Sequence, residues 1–429
     1  MTGPLPVSEQ PAGRVVVLDD DPTGTQGVSG LPVVLNPDAD TLGRTTRQWP
    51  GPLWVLTNTR AMPEADAVGL VRRIAGDVRA AAGPDVQLVL RGDSTLRGHV
   101  LAEIDALAPA GAVALFVPAF LDQGRVTTAG VHYVTIGSRR VPVAQTEYAR
   151  DPEFGYRTSN LAEWVADREP GRPAAGMPLD VLRAAGPAAL ADLLVEAPDR
   201  CVVVPDAETV ADLEIIAAAW ARAQQRGRPV VLRCAASMAS VVTGARPRPL
   251  RLAPAGGPVL VVCASYTSGA TAQLAALAGL DGVAWHEVDL ARALPGARGP
   301  DRYRAELTAA VAASLLSAAA CVLATPRQPR PEHLNFAAGE QIMDVMVQVA
   351  AGLAGRFAAV VSKGGITSAR LARDALAVPV AYVHGQVLPG VAVWELGYPP
   401  DRAVRQVVVP GNVGAPDALA QIVSQLAGR

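Results

Sequence analysis

The residues best equipped for chemistry in the first half of the chain lie in three short stretches. VVVLDDDPTGTQG (15–27) ends an apolar, strand-like run in three consecutive carboxylates, Asp19, Asp20 and Asp21. Adjacent like charges repel and are costly to bury. A strand tip that carries three of them has the groups to orient hydroxyls, take up a proton or support a divalent cation. TNTR (57–60) closes a second apolar run, and RGDSTLRGH (91–99) follows a third and leads into the helical VLAEIDAL. There Asp93, Ser94, Thr95 and Arg97 bring an acid, two hydroxyls and a fork-shaped cation to a helix start, a setting suited to an anionic ligand. The same residues also suit plain helix capping.

In the second half, glycines and hydroxyls follow apolar runs at VLVVCASYTSGATAQL (259–274), SKGGITS (362–368) and PGNVG (410–414). Glycines at such points let backbone amides approach a phosphate closely. Ser265, Thr267, Ser268 and Gly269 offer hydroxyls and amides of this kind, although GxxxxGK[ST] is absent. Lys363 is the single lysine among 38 basic residues, and it stands immediately before Gly364-Gly365. A compact ammonium differs from a planar guanidinium, so Lys363 is expected at a phosphate contact.

These groups need elements to hold them. Short β-branched runs (15–18, 54–59, 86–90, 113–117, 201–205) alternate with helical patterns at 64–82, 98–108 and 207–225. Strands spaced by helices predict βαβ units and a mainly parallel sheet, with functional groups at the strands' carboxyl ends. The segment 130–151 breaks the rhythm, since VHYVTI and RVPVAQT flank Gly137-Ser138 as a hairpin. A proline-rich stretch then precedes a second α/β alternation. At 429 residues the chain exceeds one ordinary core. The expectation is α/β throughout: a ligand domain at 1–245, a linker at 246–258 and a second domain at 259–429, with a site in the cleft between them.

Composition excludes several classes. Half the residues are apolar, the net charge is −2 and aromatics are 4%, with no basic block, so nucleic-acid binding is unsupported. Apolar runs stay short of a membrane span, and the first residues lack a signal-peptide pattern, so the expected location is the cytoplasm. Cys201, Cys234, Cys263 and Cys321 are scattered without CxxC spacing and are expected to be buried thiols.

DDPTG (20–24), DSTLRG (93–98) and P.F...GR.T (118–127), followed by S..T..T..QL (265–274), KGGITS (363–368), G....PGV.VW.L (385–396) and PGNVG (410–414), form an ordered set along nearly the whole chain. In this the chain resembles the four-carbon acid sugar kinases. The resemblance implies an N-terminal domain for a sugar acid such as threonate, erythronate or an oxo-tetronate, and a C-terminal domain for ATP with Mg²⁺. It matches Asp20 and Asp21 to the family's catalytic acids and Asp93, Ser94 and Arg97 to the substrate loop; the forks of Arg60, Arg91 and Arg97 are themselves suited to clamp the carboxylate and offset the acidic tip. On the nucleotide side it places Ser265, Lys363, Gly364, Gly365, Thr367, Gly411, Asn412 and Gly414. Arg91, Ile366 and Val409-Pro410 depart from the family's residues. The resemblance implies small-molecule partners and leaves a homo-oligomer open. Two other readings fit the same residues. VVVLDDDPT also satisfies the haloacid-dehalogenase-like phosphatase signature, with Asp19 as nucleophile, Asp21 as acid/base and Thr23 on phosphate; a non-catalytic metabolite binder is the other.

Overall fold

The apolar runs become strands buried on both faces, as central strands of a parallel sheet must be; all five residues of Val15–Asp19 are buried. The computed structural model describes residues 13–293, 299–328, 336–397, 404–411 and 413–429. The chain divides into two compact units, Met1–Arg246 and Pro247–Arg429.

In unit 1 the strands are β1 (Val15–Asp19), β2 (Leu31–Val34), β3 (Leu53–Leu56), β4 (Gln87–Arg91), β5 (Val113–Val117), β6 (Arg125–Thr128), β7 (Val131–Ile136), β8 (Arg139–Pro142), β9 (Ala174–Met177), β10 (Val202–Pro205) and β11 (Val230–Cys234). The main sheet runs β2-β3-β1-β4-β11-β5-β10-β9, and its pairings are parallel. Register levels the carboxyl ends: Asp19 lies opposite Leu56 and Arg91, and Cys234 opposite Arg91 and Val117. Polar residues that follow these strands are thereby gathered along one edge.

The expected hairpin forms, with Ile136 paired to Arg139 across the turn. A third strand, β6, completes an antiparallel sheet β6-β7-β8. Asp206, just past β10, anchors this excursion by accepting from Ala129 N at 2.7 Å and Gly130 N at 2.9 Å. The excursion is thus fixed beside the sheet's carboxyl ends.

In unit 2 the strands are β12 (Val259–Cys263), β13 (Val283–Glu287), β14 (Ala320–Ala324), β15 (Ala359–Lys363), β16 (Val380–Leu388), β17 (Val391–Leu396) and β18 (Val404–Val409). Their order is β13-β14-β12-β15-β18-β17-β16. Pairing is parallel as far as β18 and antiparallel at β17 and β16. Alternate residues of β12 enter different cores: Leu260 and Val262 pack with Val311 and Met346, while Val259 and Val261 pack with Leu274 and Ile422. Helices cover both faces, and the strand ends are left to the loops.

Of the stretch 246–258, expected as a linker, Arg246 stays with unit 1 and residues 247–258 fall in unit 2. Leu250 N donates to Gln386 O at 2.7 Å, Ala255 N donates to Leu426 O at 2.7 Å, and Leu252 is buried in the core. A Cβ on Gly385 would stand 2.5 Å from Arg248 O, so glycine permits this close pairing. Among the described residues, no helix is long and apolar enough to cross a membrane. The four cysteines are free and buried.

Candidate active site

The three aspartates at the tip of β1 have three different environments. Asp19, the last strand residue, is 0% exposed. Its Oδ2 accepts from Trp54 Nε1 at 2.6 Å; its Oδ1 accepts from Arg91 Nη1 at 2.9 Å and Asp21 N at 3.1 Å. A Cβ on Gly24 would lie 1.7 Å from Asp19 Oδ2, so the turn wraps directly over this carboxylate. Asp19 therefore pins the loop, and neither oxygen is available for nucleophilic attack. This removes the basis of the phosphatase reading, which needs a free oxygen there.

Asp20 is also buried, and its Oδ2 accepts from Arg233 Nη2 at 2.9 Å. The same guanidinium reaches Glu103 through Nη1. Asp20 Oδ1 is buried without a hydrogen-bond partner. Burial pushes the Asp20 carboxyl up to about 7, against the pull of Arg233 and Arg60. Such a group changes charge near neutral pH, as a proton acceptor should. Asp21 is more open, with 17% of its side chain exposed, and is paired with Arg60.

The loop after β4 closes the other side. Asp93 Oδ2 accepts from Arg97 Nε at 2.7 Å and from the Thr95 hydroxyl, and Arg60 lies 3.8 Å from Asp93 Oδ1. Burial disfavours the Asp93 charge, but Arg60 and Arg97 outweigh it and hold the carboxyl below its ordinary range. Leu96 takes φ +65° and Gly98 φ +116°. The excursion braces this strained turn. His132 Nε2 donates to Ser94 O at 2.8 Å, the Thr127 hydroxyl donates to His132 Nδ1 at 2.9 Å, and Tyr156 donates to Thr95 O at 2.8 Å. Burial lowers His132 to about 4, which keeps the ring neutral and this tautomer in place.

Asp20, Asp21, Arg60, Asp93, Ser94 and Arg97 are thus brought together at adjacent strand ends. Arg91 departs from its expected role: it is 3% exposed and serves as the partner of Asp19, beneath the site. Sequence reasoning passed over Arg233, Glu103 and Trp54, and gave Arg125, which stands in the 118–127 pattern, no role. Arg233 carried one usable signal, a charge inside the apolar run VVLRC. A Cβ on Gly92 would meet Arg233 Nη2 at 2.0 Å, which accounts for glycine beside it.

In unit 2 the three glycine loops follow β12, β15 and β18, which are successive neighbours. Ser265, Lys363, Gly364, Gly365, Thr367 and Gly411 line one cavity of about 390 Å³. Tyr266, Ile342 and Met343 supply an apolar wall. The loops are cross-tied: Thr267 donates to Gly411 O at 3.1 Å, and Gln273 Nε2 donates to Gly414 O at 3.0 Å. Lys363 differs from expectation. It is 0% exposed, and Nζ donates to Pro410 O at 2.7 Å and Val413 O at 3.2 Å. Burial lowers its ammonium to about 8. The lysine shapes the loop that borders the cavity. Gly414, with φ +96°, sits against Gln273 and Ala418 and is not a lining residue; Asn412 lies outside the described residues.

Comparison with known proteins agrees with this division. Residues 15–242 match the sugar-binding N-terminal domain and residues 260–419 the nucleotide-binding C-terminal domain. A D-threonate kinase of Bordetella bronchiseptica is 36% identical over 230 residues, covering 52% of this chain and 50% of the relative. One of Cupriavidus necator is 33% identical over 206 residues, covering 46% of each. The chain spans about half the length of these curated relatives. A crystal structure of a Haemophilus influenzae protein superposes with a TM-score of 0.70 at 17% identity, covering 96% of this chain and 100% of that one, which shows a shared fold. With both domain models matched in order, the chain belongs to the family that joins a sugar-binding N-terminal domain to a nucleotide-binding C-terminal domain, the four-carbon acid sugar kinase architecture.

Proposed function

We propose that this protein is an ATP-dependent kinase that phosphorylates a hydroxyl of a four-carbon sugar acid of the threonate, erythronate or oxo-tetronate type. The observation that carries the reading is Asp20. A buried carboxyl raised to about 7, with one oxygen unpartnered, stands beside the more open Asp21 at an arginine-rich strand end. The D-threonate kinase names of the two relatives support the substrate class.

In this mechanism unit 1 holds the acid. Asp21 and Asp93 orient its hydroxyls, and Asp20 accepts the proton of the reacting one. The freed oxygen attacks the γ-phosphorus of ATP, and the bond from that phosphorus to the β–γ bridging oxygen breaks to release ADP. Catalysis of this kind is mostly positioning and charge stabilisation. Unit 2 binds the nucleotide at the cavity lined by Ser265, Gly364, Gly365 and Gly411, where backbone amides and hydroxyls suit phosphate oxygens. Among the described residues no group of three or more His, Cys, Asp or Glu is arranged to hold a metal. Magnesium carried in on the nucleotide's phosphates needs only one or two carboxylates, and Asp21 is the accessible one. In this reading MgATP enters as a substrate.

A screen of threonates, erythronates and oxo-tetronates with MgATP, read by ADP formation, tests the proposal. Acid-dependent ADP release with at least one of them is expected. ADP release independent of every acid, or none at all, would overturn it.

A further inference from the structure

The arginines around the unit 1 site are not equivalent. Arg91 is paired with Asp19, Arg233 with Asp20 and Glu103, and Arg60 with Asp21. Arg97 is paired with Asp93 and lies 3.7 Å from Asp151. Arg125 is the exception. Its Nη1 donates to the Ser94 hydroxyl, its Nε is buried without an acceptor, and among the described residues it forms no ion pair, although its charge helps to keep Asp93 ionised from a distance.

The position of Arg125 is nevertheless fixed. Its N donates to Phe120 O at 3.0 Å and its O accepts from Phe120 N at 2.9 Å, across a turn in which Gly124 takes φ +62°. The guanidinium carbon lies 5.6 Å from the centre of the Tyr148 ring, and that of Arg97 lies 5.2 Å from the same ring. Two like charges on one aromatic ring repel, and an anionic ligand relieves that repulsion. A planar fork on a fixed backbone, with an unused donor and no directly paired carboxylate among the described residues, has the design of a carboxylate receptor.

Building on the function proposed above, we propose that Arg125 receives the carboxylate of the sugar acid and is the residue by which the site selects acids over neutral polyols. Ser94 sets the rotation of the guanidinium, and Tyr148 supports its face. The arginines already paired with aspartates shape the pocket and take no part in this selection.

The test is calorimetric titration of the full chain, without ATP, with D-threonate and with threitol, its neutral four-carbon counterpart. Arg125→Gln should weaken threonate binding roughly 10- to 100-fold, the worth of a charged hydrogen-bonded pair, and leave threitol binding unchanged. Arg125→Lys, which keeps the charge and loses the fork, should recover only part of the loss. A thermal melt of each variant separates this from misfolding. Equal loss for threonate and threitol, or no loss for threonate, overturns the assignment. ADP formation measured on the same proteins keeps the two proposals apart. Turnover with threonate that survives Arg125→Gln unchanged would sink this inference and spare the kinase; selective binding without turnover would do the reverse.

Discussion

Unit 1 and unit 2 both build a polar site at the carboxyl ends of parallel strands, by opposite means. Unit 1 uses ionised side chains stacked in depth: Asp19 with Arg91 below, Asp20 with Arg233 and Glu103 behind, Asp21 with Arg60 in front. Unit 2 uses backbone, with one buried lysine tied to the carbonyls of Pro410 and Val413 to set the loop's shape. Side-chain charges can be graded from structural to reactive by burial together with the partners that satisfy each oxygen. A backbone site holds a generic phosphate geometry and gains little from extra charge. Substitutions in the two units should therefore fail differently.

The largest effect is expected from Asp19→Asn. It leaves Arg91 charged and buried without its carboxylate, a loss of about 3–5 kcal/mol for a broken buried pair, read as a fall in the denaturant midpoint. A variant as stable as wild type would show that the three aspartates are not graded as described. Next comes Asp20→Asn, which should lower kcat roughly 10²-fold or more while ATP-analogue binding stays intact. Altered nucleotide affinity with unchanged turnover would place Asp20 outside the chemistry.

In unit 2, Lys363→Met removes the charged donor from Pro410 O and Val413 O, which keep only Val413 N and Gln273 Nε2 respectively, at a cost of about 1–3 kcal/mol. Nucleotide affinity should drop while threonate affinity holds, and the comparison of units fails if both change together. Lys363→Arg should rescue poorly, because a wider planar head must fit where Gly364 and Gly411 bring backbone close.

The last expected effect is one of pH, and it sharpens the contrast. Asp20 is raised from 3.8 to about 7, so the folded protein binds this proton more tightly than the unfolded chain. Across that window the contribution of Asp20 to stability falls as pH rises, while turnover, which needs the ionised base, climbs. Lys363 is lowered from 10.5 to about 8. The unfolded chain binds that proton more tightly, so its contribution rises with pH between those values. Melts and kcat profiles on wild type, Asp20→Asn and Lys363→Met separate the two signs.

Much of this arrangement was legible in the chain itself. The alternation of apolar runs and helices located the strand ends, and glycines before helix starts marked the unit 2 loops. The division of labour among Asp19, Asp20 and Asp21 was not legible. It depends on Trp54, Arg91 and Arg233, which reach the tip of β1 from other strands of the sheet. The role of Lys363 was hidden for a related reason: a rare residue draws attention, but only packing shows that its ammonium faces carbonyls. The antiparallel β16–β17 ribbon escaped notice because its apolar residues serve a sheet flank and lack the strand–helix alternation seen elsewhere.

The most direct test of the central claim follows the phosphoryl group itself, using ATP labelled at the γ-phosphate with D-threonate as acceptor. The account predicts that label moves to the acid in the wild-type protein, and that Asp20→Asn transfers it at least roughly 100-fold more slowly with nucleotide affinity unchanged. Label released as inorganic phosphate without entering the acid, or transferred equally fast by Asp20→Asn, would contradict it.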